Sequence, residues 1–162
     1  MADLGAISLW IAVALASYAV IGSVAGKVRG EAVLVDSSRS AVYLLVLVLL
    51  VATLSLVISF INQDFEVAYV AAHSDLAMPQ QYTWVAFYAG NEGSLLFIAF
   101  VLSIMSAVAL RLAPVKVRDT MPYTTAVMML VLVFFLAVTS VMANPFDKLP
   151  FTPADGQGIN PL

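Results

Sequence analysis

The stretch VYLLVLVLLVATLSLVISFI, residues 42–61, holds no Asp, Glu, Lys, Arg or His and runs uninterrupted. A helix rising ~1.5 Å per residue needs about 20 residues to cross a ~30 Å hydrocarbon core, and this stretch has that length and composition. Three more apolar runs lie on either side of it, at 4–25, 95–110 and 126–143. The third run is short, but the long stem of Arg111 can snorkel and keep Leu112 and Ala113 in the membrane. The expected spans are therefore 4–25, 42–61, 93–113 and 124–143. A soluble helical core is the competing explanation, yet runs this continuous have no polar face to show water. The chain of 162 residues is 62% hydrophobic and 10% charged, with a mean hydropathy of +1.00. Only helices or closed barrels satisfy the backbone in lipid, and barrel alternation is missing. The expectation is an all-α integral membrane protein, one membrane domain over residues 1–162.

Charge placement orients that bundle. Lys27, Arg29 and Arg39, then Arg111, Lys116 and Arg118, lie in or beside the first and third connections, leaving Lys148 as the other basic residue. The positive-inside rule makes those two connections cytoplasmic. Asp3, Asp64, Glu66, Asp75, Glu92, Asp147 and Asp155 carry the opposite bias. Both termini, the loop 62–92 and the tail 144–162 are thus expected on the outer, periplasmic side. Ser23-Val24-Ala25 is similar to a small-residue cleavage site, but no basic n-region precedes it and Lys27 and Arg29 follow, so the first run reads as an uncleaved helix.

The loop 62–92 is unusual in content. It holds Phe65, Tyr69, Tyr82, Trp84, Phe87 and Tyr88 around Pro79, with Asp64 and Glu66 ahead of them. An aromatic belt at the interface accounts for each ring taken singly. It does not account for the whole block, and long ordered loops of this kind commonly carry function. The next helix is expected to start at Asn91, a favourable N-cap, with Glu92 on the positive end of the helix dipole. Capping suffices for both residues. Gly90 and Gly93 also allow close approach of another surface, so a docking point is the alternative reading.

Asp64-Phe65-Glu66-Val67-Ala68-Tyr69-Val70, then Ser74, Pro79, Tyr82, Trp84 and Glu92-Gly93-Ser94-Leu95-Leu96, resembles the amino-terminal part of CcmF-type cytochrome c biogenesis proteins, the haem lyase family. Ser37-Ser38-Arg39, expected just before the second helix, extends the resemblance. So does the tail Asn144-Pro145-Phe146, Pro150, Pro153, Asp155-Gly156 and Asn160-Pro161-Leu162. The resemblance implies a multi-pass protein of the bacterial inner membrane, or an equivalent organelle membrane. Such a protein receives haem from a haem chaperone and joins it to the thiols of an apocytochrome c presented with a thiol-reducing partner. Trp84, Tyr82 and Tyr69 would then offer stackable surface to haem or to a partner, with Glu92 and Gly93 at the helix start beside them. The family's tryptophan-rich outward segment and haem-ligating histidines are not in these 162 residues, which hold Trp10 and Trp84 as their tryptophans. The expectation is a leading piece of a longer or split protein, inactive alone, with haem bound mainly by segments outside it.

Two departures from the family pattern stand out. His73, the one histidine, occupies a position where the family mostly has Asn, and one imidazole cannot make a bis-histidine haem site. Asn91 stands where the family usually has His before Glu-Gly-Ser, and Asn cannot titrate. With no cysteine the chain holds no disulfide, thiolate metal site or thioether-bound haem of its own, and no metal site is expected. No phosphate loop, hydrolase ordering or clustered basic run argues for nucleotide or nucleic-acid work. Net charge of −3 places most acid on the outer face, where it could steer a basic partner. The alternative function is a non-catalytic assembly or ion-pathway subunit whose loop binds a partner. The absence of ionisable residues from 42–61 and 126–143 argues against an ion path.

Overall fold

A computed structural model describes residues 1–79 and 82–157, and for Trp84 the backbone only. The element order is α1 (Ala2–Arg29), α2 (Ala32–Ile61), α3 (Ala68–His73), α4 (Thr83–Ala89), α5 (Asn91–Leu112), a 3-10 turn (Val115–Val117) and α6 (Met121–Val141). Four of these, α1, α2, α5 and α6, are long and apolar enough to cross a membrane. They pack as a ring in which α1 lies between α2 and α6, and α5 closes the other side against the same two helices. The ring buries Leu9, Leu45, Leu49, Leu56, Leu96, Met129, Leu132 and Leu136. Its outer surface carries Trp10, Leu47 and Phe134 exposed, the reverse of a soluble domain and the arrangement lipid requires.

Each long helix starts upstream of its apolar run, and α6 ends at Val141, two residues short of the expected 143. Ser37, Ser38 and Arg39 lie inside α2, which starts at Ala32, ten residues upstream of the apolar stretch, and the first connection shrinks to Gly30 and Glu31. This corrects the placement of Ser37-Ser38-Arg39 before the second helix. Hydropathy marks membrane depth, whereas the backbone ladder continues through the interface while side chains permit it. Asp36 and Arg39 even pair along the helix, at 3.4 Å. Gly30 stops α1 in the left-handed conformation (φ 72°) that a Cβ disfavours. The α1 face toward the core is built of small residues, including Ala12, Ala16 and Ala19, which lets backbones approach closely.

Several hydroxyls inside the ring are satisfied within their own helices, while the buried Ser59 Oγ of α2 has no partner among the described residues. Thr53, Thr125, Thr139 and Ser140 each donate to the carbonyl four residues earlier, at 2.7–2.9 Å. At those four residues the pattern removes the cost of an unpaired polar group in a lipid-facing bundle.

Charged contacts show which segments share an end. Lys148 Nζ reaches Asp3 at 3.0 Å and Glu66 at 3.6 Å, so the start of α1, the α2–α5 connection and the tail meet at one end. Lys27 pairs with Asp119 at the other, where the α1–α2 turn and the α5–α6 connection meet.

Candidate functional site

At the Lys148 end the connection and the tail fold on each other as a cap. Gln63, at φ 51°, turns the chain out of α2, and its side-chain amide donates to Asp75 O at 3.1 Å. The tail then lies against the connection and meets it through an isolated β-bridge. Val67 and Lys148 form an antiparallel bridge, Ala68 N donates to Asp147 O at 2.8 Å, and Leu149 N donates to Glu66 O at 2.9 Å. Further on, Gln157 N donates to Ala71 O at 2.7 Å and Leu76 N to Asp155 Oδ1 at 2.9 Å. Phe65, Val67, Val70 and Phe146 are buried beneath these bonds, with the Phe146 ring against Gly5 of α1. The loop is therefore ordered by chain more than seventy residues later as well as by its own internal bonds. Asn160, Pro161 and Leu162 lie outside the described residues.

Tyr69 is the centre of the cap. It is 5% exposed, so its ring is packing and not open surface. The hydroxyl donates to Phe87 O at 3.0 Å and accepts from Gly90 N at 3.1 Å, joining α3, α4 and the start of α5 through one atom. Phe60 meets the ring edge-on at 5.6 Å between centroids, and His73 lies 4.4 Å away, tilted by 41°. Burial pushes the phenol above its ordinary pKa, the Gly90 amide pulls it back, and the Glu92 charge raises it again. Gly93 faces the same atom. A Cβ built there would lie 1.8 Å from Phe87 O and 2.6 Å from the Tyr69 hydroxyl oxygen. Only glycine permits α4 to sit this close to α5. The helix start itself is corrected by the structure: Gly90 is the N-cap, in extended conformation, and Asn91 is the first helical residue with no capping bond from its side chain. Glu92 remains in the first turn, where the dipole favours it.

The expected site residues thus divide. Tyr69, Glu92 and Gly93 come together, whereas Tyr82 stands apart and exposed beside Asp75 and Met78. The Trp84 side chain lies outside what is described. Two hollows flank the cap. One, of about 260 Å³, has a mixed polar and apolar lining and brings His73 and Glu92 to Asn144 and Asp147 of the tail. The other, of about 600 Å³, is an apolar cleft between α2 and α5, roofed by Phe87 and Tyr88 and walled by Leu54, Phe97 and Phe100. Phe97 and Phe100 escaped the sequence reading because an aromatic ring on an apolar helix carries no mark separating a cleft from a lipid face.

The donor set does not fit a haem-iron site. His73 Nδ1 is engaged by Tyr69 O at 3.0 Å, and its Nε2 faces Gly90 so closely that a Cβ there would be 2.7 Å away. No cluster of three metal-ligating side chains occurs among the described residues. The cleft offers flat apolar contact without an axial ligand.

Bundle and cap together define a multi-pass helical membrane protein with an ordered surface at one end. No family model matches the chain. Curated relatives do: it is 34% identical to the cytochrome c-type biogenesis protein CcmF of Escherichia coli over 100% of the chain and 25% of that protein. It is 33% identical to CcmF of Pseudomonas aeruginosa over 99% of the chain and 24% of the relative. A solved structure, cytochrome c heme lyase CcmF, superposes with a TM-score of 0.82 at 25% identity, over 91% of this chain and 25% of that one. The chain belongs to the CcmF-type cytochrome c biogenesis proteins and corresponds to their amino-terminal part. It spans about a quarter of the length of the curated relatives it matches.

Proposed function

We propose that this chain is the amino-terminal module of a cytochrome c haem lyase. The cap is its outward, periplasmic surface in a bacterial inner membrane, beside which haem delivered by a chaperone is joined to apocytochrome c thiols, with a thiol-reducing partner in attendance. The observation that carries the reading is similarity over the whole chain to CcmF proteins at about a third identity. The cap supports it physically: loop and tail are tied into one surface, and building on an ordered frame spares a docking partner the entropy of arranging it. Haem is the substrate here. Its iron is held by residues outside this chain, and this module contributes Tyr82, Trp84 and the apolar cleft as contact area, with Tyr69 and Gly93 as the struts beneath.

Absence of cysteine makes orientation directly testable. A single cysteine at exposed Leu76 or at Asp155 should react with a membrane-impermeant thiol reagent in intact cells, and one at Val115 should not. Reaction at Val115 alone would invert the bundle. For function, Trp84→Ala and Tyr82→Ala in the full-length protein should lower covalent haem attachment to an apocytochrome without lowering protein abundance. Unchanged attachment in the double variant would remove these rings from the substrate surface.

A further inference from the structure

The opposite end of the bundle carries a further hollow that the haem reading does not use. Arg39 of α2, Arg111 in the last turn of α5 and Arg118 after the 3-10 turn line one polar cavity of about 170 Å³, with Tyr43 and Ala113 between them. No carboxylate lines it. Arg39 has Asp36 at 3.4 Å one turn back along α2, Asp119 is taken by Lys27, and Arg111 and Arg118 make no ion pair among the described residues. Guanidinium groups brought together in this way repel unless an anion sits among them. Their planar donor forks suit a phosphate.

A groove of about 320 Å³ continues from that cavity along the helices, sharing Tyr43 and Arg111 and running on over Ala107, Val108 and Leu112. Its lining is apolar, and Val108 and Leu112 are exposed on the outer surface of the bundle. Charged cavity and apolar groove therefore join at the depth where α5 ends, the level of the head groups for a spanning helix. A free anion would use the first and leave the second bare.

We propose that this crevice is a binding site for an anionic glycerophospholipid, the phosphodiester among the three arginines and an acyl chain along the groove. The lipid neutralises the charge of Arg111 and Arg118, which have no ion pair among the described residues, and ties α2, α5 and the α5–α6 connection together. The site depends on the four helices lying in a membrane and not on the haem reading.

The test uses the protein purified from membranes at its full natural length, delipidated and returned to phosphatidylglycerol, phosphatidylcholine or inorganic phosphate. Native mass spectrometry reads retained lipid, and a thermal scan reads stabilisation. Phosphatidylglycerol should be retained and raise the melting temperature, and phosphatidylcholine should not. Combined Arg111→Gln and Arg118→Gln should weaken phosphatidylglycerol retention about 30-fold, roughly fivefold for each arginine. Val108→Trp changes an exposed side chain, so it leaves the core intact. It should block the groove and lose the lipid while keeping the arginines. Equal retention of both lipids, or indifference to the arginine variants, overturns the proposal. Stabilisation by inorganic phosphate equal to that by phosphatidylglycerol and unaffected by Val108→Trp overturns the lipid assignment in favour of a simple phosphate site.

Discussion

At one end of the bundle α1 passes into α2 through Gly30 and Glu31, and α5 passes into α6 through a short stretch holding one 3-10 turn. At the other end a connection with two small helices is overlaid by the tail, bridged at Val67 and Lys148 and locked around a buried tyrosine. The first end is made by local rules, a left-handed glycine and a short turn. The second is made by contacts between segments far apart in sequence. Ordering so much chain carries an entropy cost that a mere linker would not incur, and here it is offset by buried phenylalanine and valine side chains and main-chain bonds.

The sharpest way to break this contrast is Gly93→Ala. Its Cβ would meet the Phe87 carbonyl, a backbone atom that cannot swing aside, so α4 must shift and the cap should lose about 1–3 kcal/mol, as overpacked sites do. Hydrogen exchange across residues 68–89 should rise while the four long helices stay protected. Uniform exchange along the bundle would mean that cap and bundle are one cooperative unit.

Tyr69→Phe keeps the ring and removes the hydroxyl that joins Phe87 O to Gly90 N. Leaving a part-buried amide and a buried carbonyl without that partner should cost about 1–3 kcal/mol, read as a lower melting temperature and increased proteolysis between α3 and α5. At the simpler end, Gly30→Ala should cost only about 1 kcal/mol, because the position is open space and only its φ is disfavoured. Loss at Gly30 exceeding that at Gly93 would reverse the contrast.

The smallest effect is expected from pH. The hydrogen bond to Asp3, followed by the charges of Asp3 and Glu66, raises the Lys148 pKa. A raised basic group contributes stability that is present below its unfolded pKa and is lost as pH rises through the folded one. Tyr69, also raised, resists ionising while the unfolded phenol ionises, so it acts in the same direction. The tail should loosen only above about pH 10, seen as faster cleavage within residues 144–157 by a broad-specificity protease active in alkali. Lys148→Met should remove the lysine share and leave the tyrosine share. Loosening on the acid side alone would contradict both assignments.

Much of this molecule was legible from residue types alone. Runs such as 42–61 declare membrane helices because lipid permits little else. The Glu-Gly-Ser block, the aromatic loop and the tail pointed to the haem lyase family before any geometry. Helix ends were less legible. The start of α2 moved upstream to Ala32, and the cap of α5 moved from Asn91 to Gly90, since hydropathy does not report where hydrogen bonding begins. The role of Tyr69 was the least legible, because a tyrosine in a loop reads the same whether its ring faces solvent or a core.

By itself the sequence determined that four helices form, how long their apolar parts are and which ends share a charge bias, because each follows from composition within one segment. Only the tertiary structure decided that Tyr69 and Gly93 are internal struts, that Asp147 and Asp155 hold down residues 68–76, and that three arginines meet in one cavity. Those are relations between residues dozens of positions apart, and the packing of one helix against another sets them.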